Sequence, residues 1–159
     1  MRRILTPDTM AEDTRQISIS ASATEDERAA IIGGLIAYND EQATPAHHEE
    51  LAIVARDGEA IVGGLLGHTN WGWLFIRQFW VAEASRGSGL GRSLMRTAEA
   101  EAVRRGCAAA HCDTFDFQAL PFYEKLGYEV FGQLDDYPRG HTRFFLRKHR
   151  LQSAEEESA

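Results

Sequence analysis

Cysteine is scarce. Only Cys107 and Cys112 occur in 159 residues. They stand five apart in a strand-like run, so their side chains point to opposite faces and no disulfide is expected between them. No CxxC pair is present, which removes the commonest zinc and redox spacings. Basic charge is scarce too. Seventeen Lys and Arg stand against 24 Asp and Glu, a net charge of −7. That balance argues against a nucleic-acid binder working through bulk electrostatics. No apolar run reaches membrane length, and no signal-peptide pattern is visible. A reducing cytoplasm, with neither nucleic acid nor membrane as partner, is the expected setting. Internal repeats are absent. What remains is ordinary globular composition, 43% apolar and 26% charged, in a chain long enough to bury a core without disulfides or metal.

Residues 1–14 lack periodicity and read as a loose leader, 15–150 as one domain, and 151–159 as an acidic disordered tail. Gln16 to Ala23 alternates polar and apolar residues, which predicts a short strand. Thr24-Glu25-Asp26-Glu27 reads as a capping box opening a helix to about Tyr38, with Gly33-Gly34 weakening its middle. Asn39 to Glu49 is polar, a loop or a short second helix. Leu51–Arg56 and Ala60–Gly67 flank Asp57-Gly58 as a hairpin, and Trp73–Val81 is a further strand. A helix to about Arg105 carries Leu90, Leu94, Met95, Ala98 and Ala102 on one stripe, and Gly106 ends it. Cys107–Thr114 is a buried strand. A helix from about Gln118 to Gly127 holds Pro121 in its first turn, and Tyr128–Gln133 and Thr142–Lys148 are the last strands. The order predicts an α/β fold: a mixed, mostly antiparallel sheet of about seven strands flanked by helices.

The stretch between strand and helix, Trp80-Val81-Ala82-Glu83-Ala84-Ser85-Arg86-Gly87-Ser88-Gly89-Leu90-Gly91-Arg92-Ser93, organises the chain. Strand, Gly-rich turn and helix give a helix N-terminus free N–H groups and room to approach a diphosphate. Two familiar loops do not fit. A Walker A loop ends in GK[ST], whereas Gly91 is followed by Arg92-Ser93. A dinucleotide fingerprint has GxGxxG in the first βα unit, whereas the spacing here is GxGxG, late in the chain. A glycine-softened turn that binds nothing remains the alternative on this loop alone.

A second block, Asp116 to Tyr128, follows 25 residues after Gly91. Together the two blocks resemble the GCN5-related N-acetyltransferase (GNAT) superfamily. Its pyrophosphate loop, [RQ]-x-x-G-x-[GA], is matched at Arg86, Gly89 and Gly91. Its later motif, N-x-x-A-x-x-F-Y-x-x-x-G-[FY], is matched at Ala119, Phe122, Tyr123, Gly127 and Tyr128. Two departures stand out. The motif's asparagine is Asp116 here, and the strand Leu74–Val81 carries no carboxylate, where some members place a glutamate base.

The resemblance implies a GNAT-like sheet splayed between its fourth and fifth strands, and acetyl-CoA as donor without a metal. Gly87, Ser88, Gly89, Leu90, Gly91 and Arg92 would cradle the diphosphate, with Arg86 and Arg92 adding positive charge. Backbone groups of Trp80, Val81 and Ala82 would pair with the pantetheine arm like an added strand, and Asp116, Ala119, Phe122 and Tyr123 would line its other side. The Val81 N–H would hold the oxyanion. Tyr123 would serve the leaving thiolate, although its spacing also fits a buried helix-stripe aromatic.

The implied reaction is direct attack of a small-molecule amine on the thioester. The base stays open among His68, Glu83, Asp113 and Glu41. Tyr38, Trp71, Trp73, Phe115 and Phe117 are candidates for an acceptor wall, and Asp135 and Asp136 for attracting an ammonium. Core aromatics and a solvated acidic turn explain the same residues. Amino acids, polyamines, antibiotics and protein N-termini all remain open as acceptors. A CoA-binding module without chemistry, or use of another acyl-CoA, is the alternative. His47-His48 lacks a third ligand and reads as loop polarity. Pairing through the last strands is a route to a homodimer.

Overall fold

In a computed structural model, the residues described are 17–151. The expected leader at 1–14 and nearly all of the expected tail lie outside them. The chain divides between Gln42 and Ala43 into two compact units.

In the first unit, Thr24 and Glu27 form the expected capping box. The Glu27 N–H donates to Thr24 Oγ1 at 3.2 Å, and the Thr24 N–H donates to Glu27 Oε2 at 2.7 Å. That second bond is the main reason the Glu27 carboxyl titrates below its ordinary range. The helix it opens, α1, spans Glu25–Gln42. It runs through Gly33-Gly34 and continues past Tyr38. The expected strand at Gln16–Ala23 does not form: 17–20 have no regular structure, and Ile17 and Ile19 are exposed. Alternation alone does not make a strand when no partner accepts its backbone hydrogen bonds.

The second unit carries the sheet. Its elements are β1 (Glu49–Asp57), β2 (Ala60–Asn70), β3 (Trp73–Val81), a 3-10 turn (Glu83–Ser85), α2 (Leu90–Arg104), β4 (Ala109–Phe115), α3 (Leu120–Lys125), β5 (Glu129–Asp135) and β6 (Thr142–His149). The sheet order is β1-β2-β3-β4-β6-β5, six strands rather than about seven. Among the described residues only β3 and β4 pair in parallel, because a helical crossover joins them. Asn70-Trp71-Gly72-Trp73 turns tightly, with φ of 46° at Trp71 and 75° at Gly72. Two positive φ values match the twist of the flanking strands. The Trp71 indole N–H donates to Thr44 O at 2.7 Å and holds that unusual backbone.

Strand parity sends Leu51, Leu65, Leu74, Ile76, Ala110, Cys112 and Leu146 to one face. They form the core with Met95, Ala98 and Ala102 of α2. Burying a side chain of this size stabilises by about 1.5–3 kcal/mol relative to exposure. Glu99 is also buried in this layer. Tyr128 OH donates to its Oε1 at 2.9 Å and Lys148 Nζ to its Oε2 at 2.7 Å. Both carboxylate oxygens are thereby satisfied, and α2 is tied to β6.

The feature that makes the site is a register shift. Gly67 pairs with Ile76, but Leu66 pairs with Gln78, so Arg77 is an extra residue on β3. A bulge bends and twists its strand. Pairing with β4 ends at this point, with Ile76 opposite Cys112, although β3 runs on to Val81 and β4 to Phe115. Beyond the bulge the two strands part. The expected splay is present, and its position is set by Arg77. Gly67 is needed opposite the bulge, because a Cβ there would lie 2.1 Å from Phe75 O. Among the described residues no helix is long and apolar enough to cross a membrane.

Candidate active site

The splay opens a cleft of about 1160 Å³, whose lining includes Arg77 to Val81, Arg86, Gly87, Gly89, Gly91 and Arg92 on one side. Asp113, Thr114, Phe115, Phe117, Gln118, Ala119, Phe122 and Tyr123 line the other.

The free edge of β3 follows from its pairing. The Ala82 N–H donates to Val62 O at 2.9 Å. Hydrogen-bonded and non-bonded pairs alternate along antiparallel strands. Gly64 and Trp80 are therefore a bonded pair, whereas Leu65–Phe79 and Gly63–Val81 are not. Backbone groups of Trp80 and Ala82 are consequently used by β2, and those of Phe79 and Val81 point into the gap. Val81 thus presents its backbone to the gap. Trp80 contributes to the lining by other atoms, and Phe79 is a gap-facing residue that the sequence reading missed.

Past β3, the chain turns so that Arg86 reaches back, its Nε donating to Val81 O at 3.2 Å. Ser88 Oγ donates to Ser85 O at 2.7 Å and fixes the loop from within. Gly89 is the N-cap of α2 at φ 90°, a left-handed conformation that favours glycine. It offers no capping side chain. The first helical bond runs from the Ser93 N–H to Gly89 O at 3.0 Å, which leaves the N–H groups of Gly91 and Arg92 without helical partners. Where a Gly91 Cβ would stand, the Phe79 and Phe122 rings are 3.5 Å away. The helix start therefore sits directly on the aromatic floor of the cleft.

On the opposite wall, Gln118 Oε1 accepts from Thr114 Oγ1 and from the Phe115 N–H, both at 3.1 Å. That bracket pins the free end of β4. The Gln118 N–H itself closes a turn onto Phe115 O at 2.9 Å, so α3 starts at Leu120 rather than Gln118, with Pro121 in its first turn as expected. Phe79 stacks on Phe122 at 5.6 Å and meets Tyr123 edge-on at 6.4 Å. Tyr123 is 6% exposed. Burial, helped by Cys112 and Asp113, pushes its phenol well above the ordinary range, so it stays protonated.

Other expected residues lie elsewhere. Asp116 is turned away from the cleft lining: Oδ1 lies 3.0 Å from His141 Nδ1, and Oδ2 accepts from the Thr142 N–H at 3.2 Å. Ser88, Leu90 and Ala82 shape the loop without lining the cleft. Phe115 and Phe117 do line it, with rings stacked at 5.1 Å and 8°. Trp73 instead packs between His111 and His149, and Trp71 is a turn residue. Tyr38 belongs to α1, in the other unit. Asp135 accepts from Gln133 Nε2, two residues back on β5, and Asp136, at φ 57°, accepts from the Gly140 N–H across the turn that follows.

Of the candidate bases only Asp113 lines the cleft, and Arg143 holds it at 2.7 Å. His68 is on β2 opposite Phe75, with its pKa lowered first by burial. Glu83 sits in the exposed 3-10 turn, and Glu41 is on α1.

The arrangement is a backbone-lined slot ending at an uncapped helix. On one side stand Val81 and Phe79 amides, on the other a buried neutral phenol. Such a slot suits an extended ligand with an anionic end.

Comparison with known proteins agrees. The model of the acetyltransferase (GNAT) family matches residues 11–128. An acetyltransferase of Agrobacterium fabrum is 37% identical over 131 residues, covering 82% of this chain and 96% of that protein. Blasticidin-S acetyltransferase of Streptomyces morookaense is 43% identical over 89 residues, 55% of this chain and 65% of that protein. The crystal structure of an acetyltransferase from Bacillus cereus aligns with a TM-score of 0.74 at 33% identity, covering 83% of this chain and 97% of that one. The splayed sheet, the uncapped Gly89 helix start and these likenesses together make this chain a member of the GNAT family of acetyltransferases.

Proposed function

We propose that the cleft binds acetyl-CoA and that the protein transfers the acetyl group to the amine of a small molecule. The observation that carries this reading is the uncapped N-terminus of α2, opening at the mouth of the gap between β3 and β4. The diphosphate of CoA would take the N–H groups of Gly91 and Arg92, with the guanidinium of Arg92 beside it. The pantetheine arm would lie along the free edge of β3 as an added strand.

The acceptor amine must be neutral to attack, although a lysine-like amine has a pKa of about 10.4 in water. Its attack on the thioester carbon places negative charge on the carbonyl oxygen. The Val81 N–H is the candidate donor to that oxygen, and Phe79, of the same parity, is the second. Collapse of the tetrahedral species expels the CoA thiolate. A phenol with a raised pKa is a weak acid but a persistent donor. Tyr123 therefore serves the thiolate by a hydrogen bond while keeping its proton, and the proton released from the attacking nitrogen, carried through solvent, neutralises the sulfur. Phe115 and Phe117 form the acceptor-side wall within the cleft.

The sequence likeness to a blasticidin-S acetyltransferase supports a small antibiotic amine as first acceptor to try. The test is thiol release from acetyl-CoA over a panel of amines that includes blasticidin S, amino acids and polyamines. Turnover that requires a particular amine supports the reading. CoA binding without turnover on any amine would instead make the protein a CoA-binding module.

A further inference from the structure

On the sheet face opposite α2, three side chains that do not line the cleft converge. Glu50 of β1 pairs directly with His68 of β2. His48 stands two residues before Glu50 and so shares its side of the sheet. One donor atom from each lies within 4.8 Å of the others. His48 Nε2 is 3.2 Å from Glu50 Oε1, and the two imidazole rings are 4.6 Å apart. We propose that His48, Glu50 and His68 form a binding site for a divalent transition-metal ion of the zinc class.

Three observations support the site. First, two imidazoles and one carboxylate are the ligand set of open zinc sites, with at least one position left for water. Imidazole selects zinc, copper or nickel over magnesium or calcium. Secondly, His68 Nδ1 is enclosed and has no hydrogen-bond partner. A buried ring nitrogen without a protein partner is a group that an ion or a water would satisfy. Thirdly, the orientation of the donors is already supported. Arg77 Nη2 donates to Glu50 Oε2 at 3.0 Å, leaving Oε1 toward the histidines. Phe75 meets the His68 ring edge-on at 5.3 Å and holds its plane. Outer partners of this kind orient metal ligands. In the sequence alone His47-His48 stands without a third ligand. Strand alternation brings Glu50 to the side of His48, cross-strand register adds His68, and adjacency sends His47 to the other side.

The test uses the full chain without an affinity tag, treated with chelator and dialysed. Cobalt(II) is titrated in as a spectroscopic probe, and zinc is then used to displace it. One equivalent of cobalt with the visible bands of low-coordinate nitrogen and oxygen ligation is expected, displaced by one equivalent of zinc. His48→Ala removes an exposed side chain without touching the core. It should weaken zinc at least about tenfold, as should Glu50→Gln. His47→Ala should leave affinity unchanged. Absence of saturable cobalt binding would overturn the site. So would a His48→Ala variant, with an unchanged thermal midpoint, that binds zinc as tightly as the parent. Equal loss in His47→Ala and His48→Ala would also overturn it, by assigning the ion to the adjacent pair.

Discussion

The two halves of β3 are one strand with two uses. From Trp73 to Ile76 it pairs on both edges, with β2 and with β4, and Leu74 and Ile76 are buried in the core. From Gln78 to Val81 it pairs with β2 alone, and its other edge faces the cleft. The boundary is the single extra residue, Arg77. A bulge thus turns one continuous strand into a structural half and a ligand-facing half. The lesson is that the binding edge requires no separate element; it requires that a neighbouring strand stop pairing at the right residue.

The sharpest way to break the structural half is Gly67→Ala. A Cβ at Gly67 would overlap Phe75 O, and backbone atoms cannot yield as a side chain can. Destabilisation of about 3 kcal/mol or more is expected, at the upper end of overpacking costs, read as a lowered denaturant midpoint. A midpoint equal to that of the parent would mean that the bulge forms differently. Gly89→Glu tests the other half. It brings a carboxylate to the anion-binding helix start and a side chain into a left-handed backbone. CoA affinity should fall about 100-fold, or about 2.7 kcal/mol, with the sheet intact by circular dichroism. Unchanged affinity would remove the diphosphate from this loop.

Tyr123→Phe acts between these. The ring keeps its packing against Phe79 and Tyr128, so only the hydroxyl is lost. Turnover should drop about 10- to 100-fold, with acetyl-CoA affinity little changed. A parental rate would reduce Tyr123 to a buried aromatic of the helix stripe.

The same division explains what the sequence made legible. Glycines at Gly87, Gly89 and Gly91, the Leu94–Ala102 stripe and Pro121 carry local signatures, so the loop and both helices around the cleft were readable from the residues. The splay itself came from family resemblance, and its cause did not show. Arg77 has no composition that marks a bulge; the extra residue exists only relative to Leu66 and Gly67 on the neighbouring strand. Phe79 faces the gap for the same non-local reason. Motif position puts Asp116 at the cleft, whereas its carboxylate is engaged by the ring of His141 and the N–H of Thr142, 25 and 26 residues away. His68 and Glu50 are 18 apart in sequence and directly paired in space. Ile17 and Ile19 show the reverse error, a local pattern without a partner. Periodicity reports what a segment is able to do, and register decides what it does.

The smallest expected effect is a pH dependence confined to the structural half. His111 of β4 pairs with Phe75 in the region where β3 and β4 are joined, and its ring stacks on Phe75 at 4.6 Å. Burial lowers its pKa below 6.5, nearby His68 lowers it further, and Asp113 opposes the shift. The unfolded chain, with an ordinary histidine, therefore binds a proton more readily than the folded one. Stability from this group is fully present above about pH 6.5 and declines as pH falls from there toward the folded pKa. His68 is shifted in the same direction and adds to the slope. The thermal midpoint should therefore fall between pH 7.5 and 5.5, and His111→Gln should flatten that fall. Neither histidine is among the residues lining the cleft, so CoA affinity over the same range should change far less than the midpoint. If affinity and midpoint instead fell together in the parent and flattened together in His111→Gln, the two halves of β3 would be one energetic unit, and the bulge at Arg77 would not separate them.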